Sequence, residues 1–312
     1  MEDVKIAEKV KQAQWKKKPL VALETAVVTH GLPSPQNLQL ALALEELIET
    51  AGAVPATVGV VDGVAKVGLT EEEIRGLAEG EGVRKVGPRD FSTVLAGGES
   101  GGTTVGGTLH VLKHTDIMVL ATGGIGGVHR GNSFDVSADL TTLGDNRAIV
   151  VCSGAKSILD LPATLEVLET QAVPVLGYQC DHFPAFYARS SGLPVQMRVD
   201  DIEQVVEMAR SHWGMGMGSS LLLVVPPPGE DALEREEMET AVENALKEAE
   251  DQKISGGDVT PFLLDRVSDL TEGKSLQANL SLLRNNALLA AEVAKEYHKE
   301  KGWEIGFGGS GG

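Results

Sequence analysis

The chain has 312 residues, of which 42% are hydrophobic and 23% charged, and its formal net charge is −18. This length fits one large domain or two average ones, and the hydrophobic share is sufficient for a substantial core. The negative charge argues against nucleic acid polymers and anionic membranes as partners, because binding to phosphate backbones requires clustered lysine and arginine. No apolar run reaches the length of a membrane span, and two cysteines fit a reducing compartment, so we expect a cytoplasmic protein.

The N-terminal part predicts two helices around one buried strand. Residues 1 to 18 are interpreted as an amphipathic helix that forms an extension ahead of the main domain. Leu20 to Leu23 is a short apolar strand that ends at Glu24, and residues 37 to 51 are predicted to be helical. A carboxylate at the end of a buried strand is either bound by backbone donors or held for proton transfer, and the residues alone leave both open.

The next segments predict a hairpin and a glycine-rich start of a helix. Thr57 to Val67 is typical of a hairpin that turns at Asp62 and Gly63. Thr70 to Glu73 is a capping box that begins a short helix. The segment from Gly97 to Gly107 is rich in glycine and precedes a helix, which favours either an anion site or close packing of that helix.

The centre of the chain predicts the ligand site. Ile117 to Ala121 and Ala148 to Cys152 are apolar runs typical of buried parallel strands, and each ends in a glycine-containing loop. The first loop starts at Thr122 and the second carries Lys156. Ligands of open α/β sheets bind at the carboxyl ends of neighbouring strands, so we expect both loops to face one pocket. Neither loop fits the phosphate-binding or dinucleotide-binding glycine motifs.

The C-terminal half continues the alternation of strands and helices. Apolar runs predict strands at Val173 to Tyr178, Val195 to Val199 and Leu221 to Val225, and residues 231 to 250 predict an exposed acidic helix. This alternation indicates one three-layer α/β/α domain over residues 19 to 301, with a mixed, largely parallel sheet. Residues 302 to 312 are glycine-rich and are predicted to form a flexible tail.

The last predicted helix, Ser275 to Tyr297, carries asparagines on its apolar stripe. Asn279 and Asn286 lie on the same side as leucines and alanines. A buried amide must find hydrogen-bond partners, so the helix either contacts a polar pocket or satisfies these groups against its neighbours. The residues alone do not decide between the two.

Five blocks of the sequence resemble the pseudouridine-5'-phosphate glycosidase family, which also includes an indigoidine-cluster protein of similar fold. They are ALETAVVTHGLPSPQN near the start, ATGGIGGVHRG, FDVSADL and VVCSGAKSILDLPATLEVLET in the centre, and TPFLLDRVSDLTEGKSLQANLSLLRNNALLAAEVAKEY near the end. The resemblance covers almost the whole chain and also implies a single α/β/α domain. One departure lies between His129 and Asp135, where the segment is slightly shorter than the family pattern.

The resemblance implies cleavage of the carbon–carbon glycosidic bond of pseudouridine 5'-phosphate to uracil and ribose 5-phosphate. By position in the motifs, Lys156 matches the nucleophile and Glu24 the general acid. Asp135 matches the ligand of a manganese ion, one per subunit, with other divalent ions as alternatives. The family also implies a homotrimer. The positions that match substrate-binding residues are Lys85, Val105, His129, Ser137, Ala138, Asp139 and Asn279.

A dianionic phosphate that approaches a chain of net charge −18 requires local positive charge. The cations expected to converge for this purpose are Lys85, Arg89, His129 and Arg130. Two rival classes are a sugar or nucleoside phosphotransferase and a non-catalytic phosphosugar-binding protein. The first requires a phosphate-cradling loop, for which the sequence offers no good candidate, and the second has no need of both Glu24 and Lys156.

Overall fold

A computed structural model describes residues 4–254 and 259–299, without the side chains of residues 132, 133, 260 and 261. The predicted tail over residues 302 to 312 lies outside the described residues. The strands are β1 Val4–Ile6, β2 Leu20–Leu23, β3 Val54–Val61, β4 Val64–Val67, β5 Arg84–Val86, β6 Gly101–Thr103, β7 Val119–Ala121, β8 Val128–His129, β9 Asn132–Val136, β10 Ile149–Cys152, β11 Leu159–Asp160, β12 Val175–Tyr178, β13 Met197–Val199 and β14 Leu221–Val224. The α-helices are α1 Glu8–Trp15, α2 Gln36–Thr50, α3 Glu71–Glu79, α4 Phe91–Gly97, α5 Val105–Leu112, α6 Ala138–Gly144, α7 Leu161–Thr170, α8 Ile202–Gly214, α9 Arg235–Asp251, α10 Val259–Leu270 and α11 Lys274–His298.

Eleven of the described strands form one sheet, whose central part has the order β3-β2-β7-β10-β14-β12-β13 and is parallel throughout. Strands β4 and β6 run antiparallel to β3, so the sheet is mixed. Strands β8, β9 and β11 form a separate small antiparallel sheet. Helix α11 packs along β2, β7 and β10 beside α2 and α8, and other helices cover the opposite face. The predicted α/β/α fold with a largely parallel sheet is confirmed.

The central strands are buried on both of their faces. Leu20–Leu23, Ile149–Cys152 and Leu221–Val224 are buried at every position. Strands that are covered by helices on both sides carry continuous apolar runs instead of alternating ones. This is why apolar runs, more than period-two patterns, located the sheet in the sequence.

Two local predictions around β3 and α3 are also confirmed. Asp62 and Gly63 join β3 to β4, as predicted, with φ angles of 50° and 70°, and positive φ at both central residues is typical of a type I′ turn. The Thr70 side chain accepts a hydrogen bond from the Glu73 amide, and the Glu73 carboxylate accepts one from the Thr70 amide. This reciprocal capping fixes the start of α3.

The prediction of one helix over residues 1 to 18 is wrong for its first described residues. Val4–Ile6 is a strand that pairs in parallel with β4, and the helix covers only Glu8–Trp15. Val10 and Ala13 on this helix are buried in the core. The segment extends the edge of the main sheet because β4 offers it unpaired backbone groups. None of the described helices is long and apolar enough to span a membrane.

Candidate active site

The parallel strands β2, β7 and β10 lie side by side, and their carboxyl ends define one crevice. Strand β2 has β3 on one side and β7 on the other, so consecutive connections diverge between β2 and β7. Ligands of open α/β sheets bind outside the strand ends at such a point. Glu24 follows β2, Thr122 follows β7 and Ser153 follows β10.

A pocket with a volume of about 40 Å³ lies at these strand ends. The two glycine-containing loops after β7 and β10 both contribute to it, as the sequence predicted. Four of the predicted site residues share its walls, although they are far apart in the chain. The residues that line it are Glu24, Ala26, Val27, His30, Gly31, Lys85, Thr122, Gly123, Gly124, Lys156, Phe186, Leu264 and Asn279.

Glu24 is held in this pocket by donors from the segments that follow β2 and β7. Its Oε2 accepts a hydrogen bond from the Val27 amide at 3.0 Å, and its Oε1 accepts one from the Thr122 hydroxyl at 3.3 Å. Burial raises the pKa of Glu24 above the usual glutamate value, and this outweighs the opposing effects of the Lys156 charge and of these hydrogen bonds. The sequence left open whether the carboxylate is bound or held for proton transfer; the structure shows that it is bound by these two donors, and its proton-transfer role stays a prediction.

Two further cations face the pocket beside Lys156. Burial lowers the pKa of Lys85, and the nearby Lys156 charge adds to this effect. Burial also lowers the pKa of His30, and the Lys85 charge adds to it. His30 is fixed through its Nδ1, which shares a hydrogen bond of 2.6 Å with the Thr29 hydroxyl. The positive charge of both Lys85 and His30 is therefore less favourable here than in water.

The loop that carries Lys156 is bonded to the loop after β7. The Ile125 amide donates to the Gly154 carbonyl at 3.0 Å, and the Lys156 amide donates to the Ile125 carbonyl at 3.1 Å. Gly154 has a φ angle of 87°, and a Cβ at that position would meet the Pro184 carbonyl. Only glycine therefore allows this turn, which delivers Lys156 to the pocket.

The sequence left open whether Asn279 and Asn286 on α11 contact a polar pocket or are satisfied by neighbouring elements. The structure gives a different result for each of them. The Asn286 amide donates to the Thr122 carbonyl at 2.9 Å and exchanges hydrogen bonds of 3.2 Å with the Ser153 side chain. Asn286 thus ties the two loops together. Asn279 lines the pocket, and its buried Oδ1 has no hydrogen-bond partner among the described residues. A buried acceptor without a partner indicates a position where a ligand can donate.

Asp139 occupies the anion site that the glycine-rich segment predicted. Its Oδ1 accepts from the Gly106 amide in the first turn of α5 at 2.7 Å, and its Oδ2 accepts from the Gly126 amide at 2.8 Å. The start of α5 therefore does bind an anion, but the anion is a side chain of the same protein. A Cβ on Gly107 would meet the Val86 carbonyl, so close packing of the helix is also present.

The remaining predicted residues do not line the pocket. Val105 is the buried first residue of α5, Ser137 caps α6, and Ala138 is its exposed first residue. His129 lies at the end of β8 and is half-buried. The four predicted cations do not converge. The Arg89 side chain is 93% exposed beside Asp90, and Arg130 is paired with Glu239.

Comparison with known proteins assigns the family. The sequence profile of the family described as "Indigoidine synthase A like protein" matches residues 9–296. The chain belongs to this family. Among its relatives, the pseudouridine-5'-phosphate glycosidase of Geobacillus kaustophilus is 49% identical over 292 residues, which cover 93% of this chain and 97% of that protein. The protein of the same name from Escherichia coli K12 is 46% identical over 302 residues, which cover 96% and 97%.

Solved structures of family members have the same fold. An indigoidine synthase A-like protein from Thermotoga maritima matches with a TM-score of 0.87 at 36% identity, over 96% of this chain and 98% of its own. The prealnumycin C-glycosynthase AlnA, solved in complex with ribulose 5-phosphate, matches with a TM-score of 0.88 at 35% identity over the same shares. The resemblance noted in the sequence is thus confirmed.

The residues expected to hold a metal ion in this family can be tested against the structure. The described residues contain no group of three histidine, cysteine, aspartate or glutamate side chains placed to hold an ion. Asp139 already binds two amides, whereas Asp135 on β9 is exposed and its carboxylate has no partner within the described ranges. One free carboxylate fits a hard divalent ion that keeps several water ligands and contacts the substrate, and does not fit a protein cage.

Several pocket residues were not predicted from the sequence. Phe186 comes from a loop, Leu264 from α10, and His30 from a π-helical turn, Val27–Gly31, that follows Glu24. The triplet Thr29-His30-Gly31 was visible beside Glu24, and its closeness to a candidate acid was the available signal. No local signal marks Leu264, because only the packing of α10 brings it to the pocket.

Proposed function

We propose that this chain reversibly cleaves the carbon–carbon glycosidic bond of pseudouridine 5'-phosphate to give uracil and ribose 5-phosphate. The observation that carries the proposal is that Glu24, Lys85 and Lys156 line one pocket. The chain is also close in sequence, over nearly its full length, to proteins named for this activity. A fixed acid beside a lysine amine is the combination that this reaction requires.

The bond to be broken explains the need for a lysine. Uracil leaves through a carbon atom, so protonation of a glycosidic oxygen, as in ordinary glycoside hydrolysis, does not release it. In our proposal the sugar ring opens, and the amine of Lys156 forms a bond to C1'. The nitrogen lone pair then makes a C=N bond as the C1'–C5 bond breaks, and its electron pair passes to the protonated uracil ring. Water hydrolyses the iminium, which frees ribose 5-phosphate and the amine.

Glu24 supplies the protons for these steps. A general acid must carry a proton at the working pH, and burial raises the pKa of Glu24 in the direction that keeps the carboxyl protonated. The Val27 amide and the Thr122 hydroxyl fix its position. We assign it two transfers, the first to the ring oxygen as the C1'–O4' bond breaks and the second to C5 of uracil before it departs. Between them the carboxylate takes back a proton from the Lys156 nitrogen, which is positively charged once it has bonded to C1'.

The substrate phosphate and base are assigned to the remaining polar groups of the pocket. Lys85 and His30 provide positive charge once an anion offsets the burial that disfavours it. The unpartnered Oδ1 of Asn279 fits an N–H of the uracil ring. The complex of AlnA with ribulose 5-phosphate supports a pentose phosphate as the ligand class. The further substrate contacts proposed from the family motif are Val105, His129, Ser137, Ala138 and Asp139.

We also propose that Asp135 would hold a manganese ion, which would supply positive charge to an anionic substrate. Its free, exposed carboxylate supports this assignment. A homotrimer remains our proposal for the assembly. Two free cysteines, one buried and one partly buried, fit the proposed cytoplasmic location.

Incubation of the purified protein with pseudouridine 5'-phosphate and manganese tests the function. Free uracil, measured by chromatography, is the expected product, and uracil with ribose 5-phosphate should give the nucleotide back. Binding of the nucleotide without uracil release would instead support the phosphosugar-binding alternative. Consumption of a nucleoside triphosphate would support the phosphotransferase.

A further inference from the structure

Lys156 begins a short turn, residues 156–159, that is held on its inner side by backbone hydrogen bonds. The Lys156 amide donates to the Ile125 carbonyl at 3.1 Å, and the Leu159 amide donates to the Lys156 carbonyl at 3.0 Å. These bonds fix where the turn starts and closes. The turn continues into β11, in which Leu159 pairs with His129 of β8.

The outer side of this turn faces a cavity of about 330 Å³. Ser157 and Leu159 line the cavity on one side, and Met238 and Glu239 of α9 line it on the other. The Ser157 hydroxyl is buried without a partner among the described residues. Ile158, which lies in the same turn, is buried in the core, so the turn is packed on one side and borders the cavity on the other.

Arg130 connects this turn to α9 through four hydrogen bonds from its guanidinium. Its Nη2 donates to the Ser157 carbonyl at 3.2 Å, and its Nε donates to the Leu159 carbonyl at 3.1 Å. The Glu239 carboxylate accepts hydrogen bonds from Nη1 of Arg130 at 2.6 Å and from Nη2 at 3.3 Å. The planar guanidinium keeps these donors in one fixed arrangement, so a single residue restrains both carbonyls of the turn.

Glu239 orients the guanidinium and joins it to α9. The Arg130 side chain is 24% exposed and that of Glu239 is 49% exposed, so their Coulomb attraction alone contributes little. The bidentate geometry instead determines the plane in which the guanidinium lies, and therefore the direction of its bonds to the turn.

We propose that Arg130 is a positioning residue for the amine of Lys156, and that Glu239 holds Arg130 in the required orientation. This inference rests on the proposed function, in which the amine must reach C1' of the opened sugar. Displacement of a reacting group by about 1 Å can reduce the rate about a hundredfold, so loss of the restraint should affect turnover more than binding. Arg130 is thus assigned to the turn, and not to the phosphate as the sequence suggested.

The test compares Arg130→Met, Arg130→Lys, Glu239→Gln and the double variant Arg130→Met with Glu239→Gln. For Arg130→Met we expect kcat for uracil release to fall roughly tenfold to a hundredfold, with KM within roughly threefold of wild type. Glu239→Gln should give a smaller loss, and the double variant should match Arg130→Met, because Glu239 acts through Arg130. Arg130→Lys should restore part of kcat, since its ammonium can still donate to a carbonyl.

Arg75→Met is the matched control, because Arg75 pairs with Glu71 and Glu79 on the exposed face of α3, outside the pocket. It should leave kcat unchanged. A raised KM with unchanged kcat in Arg130→Met would overturn the proposal in favour of a substrate contact. Additive losses in the double variant would overturn the role of Glu239. If Arg130→Met does not fold, as judged by thermal unfolding, unchanged kcat in both Arg130→Lys and Glu239→Gln would overturn the proposal.

A second readout separates this inference from the proposed function. Acetic anhydride modifies lysine amines without any substrate, and peptide mass spectrometry gives the rate at Lys156 relative to the surface residue Lys113. We expect this ratio to change in Arg130→Met and to stay constant in Arg75→Met. A protein that releases no uracil would disprove the proposed function, and an unchanged ratio would disprove the positioning role.

Discussion

The Oε1 atom of Glu24 accepts a hydrogen bond from the Thr122 hydroxyl at 3.3 Å, across the boundary between the neighbouring strands β2 and β7. The two residues are 98 positions apart in the chain. The parallel sheet brings them together because both follow directly on strand ends. The same boundary is the point where the chain connections diverge, so the proposed acid lies where this fold leaves an open crevice.

Replacing Glu24 by glutamine should separate catalysis from stability. Loss of the general acid is expected to lower kcat by about 10² to 10⁴. Burial raises the pKa of Glu24 in the native state, so its contribution to stability is present below the usual carboxyl pKa and is lost as the pH rises through the raised value. In Glu24→Gln the free energy of unfolding should no longer fall over this pH range. The difference from wild type should be about 1.4 kcal/mol for each unit by which the pKa of Glu24 is raised on folding. Thermal unfolding at pH 4 and pH 8 measures it.

Glu45 provides the control for this prediction. Burial raises its pKa too, and it accepts a hydrogen bond from Thr57 at 2.5 Å, outside the pocket. Glu45→Gln should change the pH dependence of stability with the same sign but leave uracil release intact. A Glu24→Gln variant with wild-type turnover would show that the carboxyl is only structural.

Lys156 should form a covalent adduct with the sugar. Borohydride added together with ribose 5-phosphate is expected to reduce the iminium and to leave one stable adduct, which mass spectrometry would locate on Lys156. Lys156→Ala should bind the substrate and release no uracil. Lys156→Arg should fail as well, because a guanidinium stays protonated and cannot attack. Substantial activity of the arginine variant would require a mechanism without the covalent step.

Lys85 should determine the preference for a phosphorylated substrate. Removing one charge-assisted contact costs about 1.5–3 kcal/mol, so Lys85→Ala is expected to raise KM for the nucleotide roughly tenfold to a hundredfold. KM for the free nucleoside should change little. The charge of Lys85 lowers the pKa of His30, so NMR titration should give a higher His30 pKa in the variant. Lys66→Ala, which disrupts an ion pair with Glu73 on the far side of β3, should change neither value.

The fold was predictable because its determinants are local. Continuous apolar runs marked the buried parallel strands, and glycine with a turn signal marked where they end. The strand Val4–Ile6 was missed because its pairing with Ala65 and its neighbours in β4 is a distant contact that periodicity does not report. The short segment was instead absorbed into the helical pattern that follows it.

The site was predictable where a residue follows a strand end, as Glu24 and Lys156 do. The partners of Asp139 were not, since the amides that it binds lie 33 and 13 positions away, and only the packing of α5 against α6 brings them together. Arg130 illustrates the same limit. Its sequence context suggested a phosphate contact, but in the structure Arg130 pairs with Glu239, which lies 109 positions away in the chain.

The two aspartates near the start of α6 should differ in how much their substitution lowers the free energy of unfolding. Asp139→Asn leaves only one oxygen for two buried amides, so it is expected to lower the free energy of unfolding by about 1–3 kcal/mol. Asp135→Ala removes an exposed carboxylate with no partner among the described residues, so its stability should match wild type. Chemical denaturation measures both values.

The proposed metal site makes a further demand on Asp135. A chelator should abolish uracil release by the wild type, and manganese should restore it, whereas Asp135→Ala should respond poorly to added manganese. Full activity of this variant in the presence of chelator would remove the metal assignment. The stability of Asp139→Asn is independent of that outcome, because its two amide bonds need no ion.

Asn279 and Asn286 lie on one face of α11, so they form a matched pair for the last prediction. Asn286 joins the loops after β7 and β10 through Thr122 and Ser153. Asn286→Ala leaves the buried Thr122 carbonyl without this donor, and it should destabilise the protein by about 1–3 kcal/mol.

Asn279→Ala should have the reverse effect, because the buried Oδ1 of Asn279 has no partner among the described residues when the pocket is empty. Truncation loses no bond from Oδ1, so we expect the free energy of unfolding to stay near wild type or to increase. The substrate instead loses an acceptor for its base, and KM for pseudouridine 5'-phosphate should rise roughly twofold to tenfold, as for one neutral hydrogen bond of about 0.5–1.5 kcal/mol. The dissociation constant of ribose 5-phosphate, which has no base, should not change. An equal loss of affinity for both ligands would place Asn279 against the sugar and not against uracil.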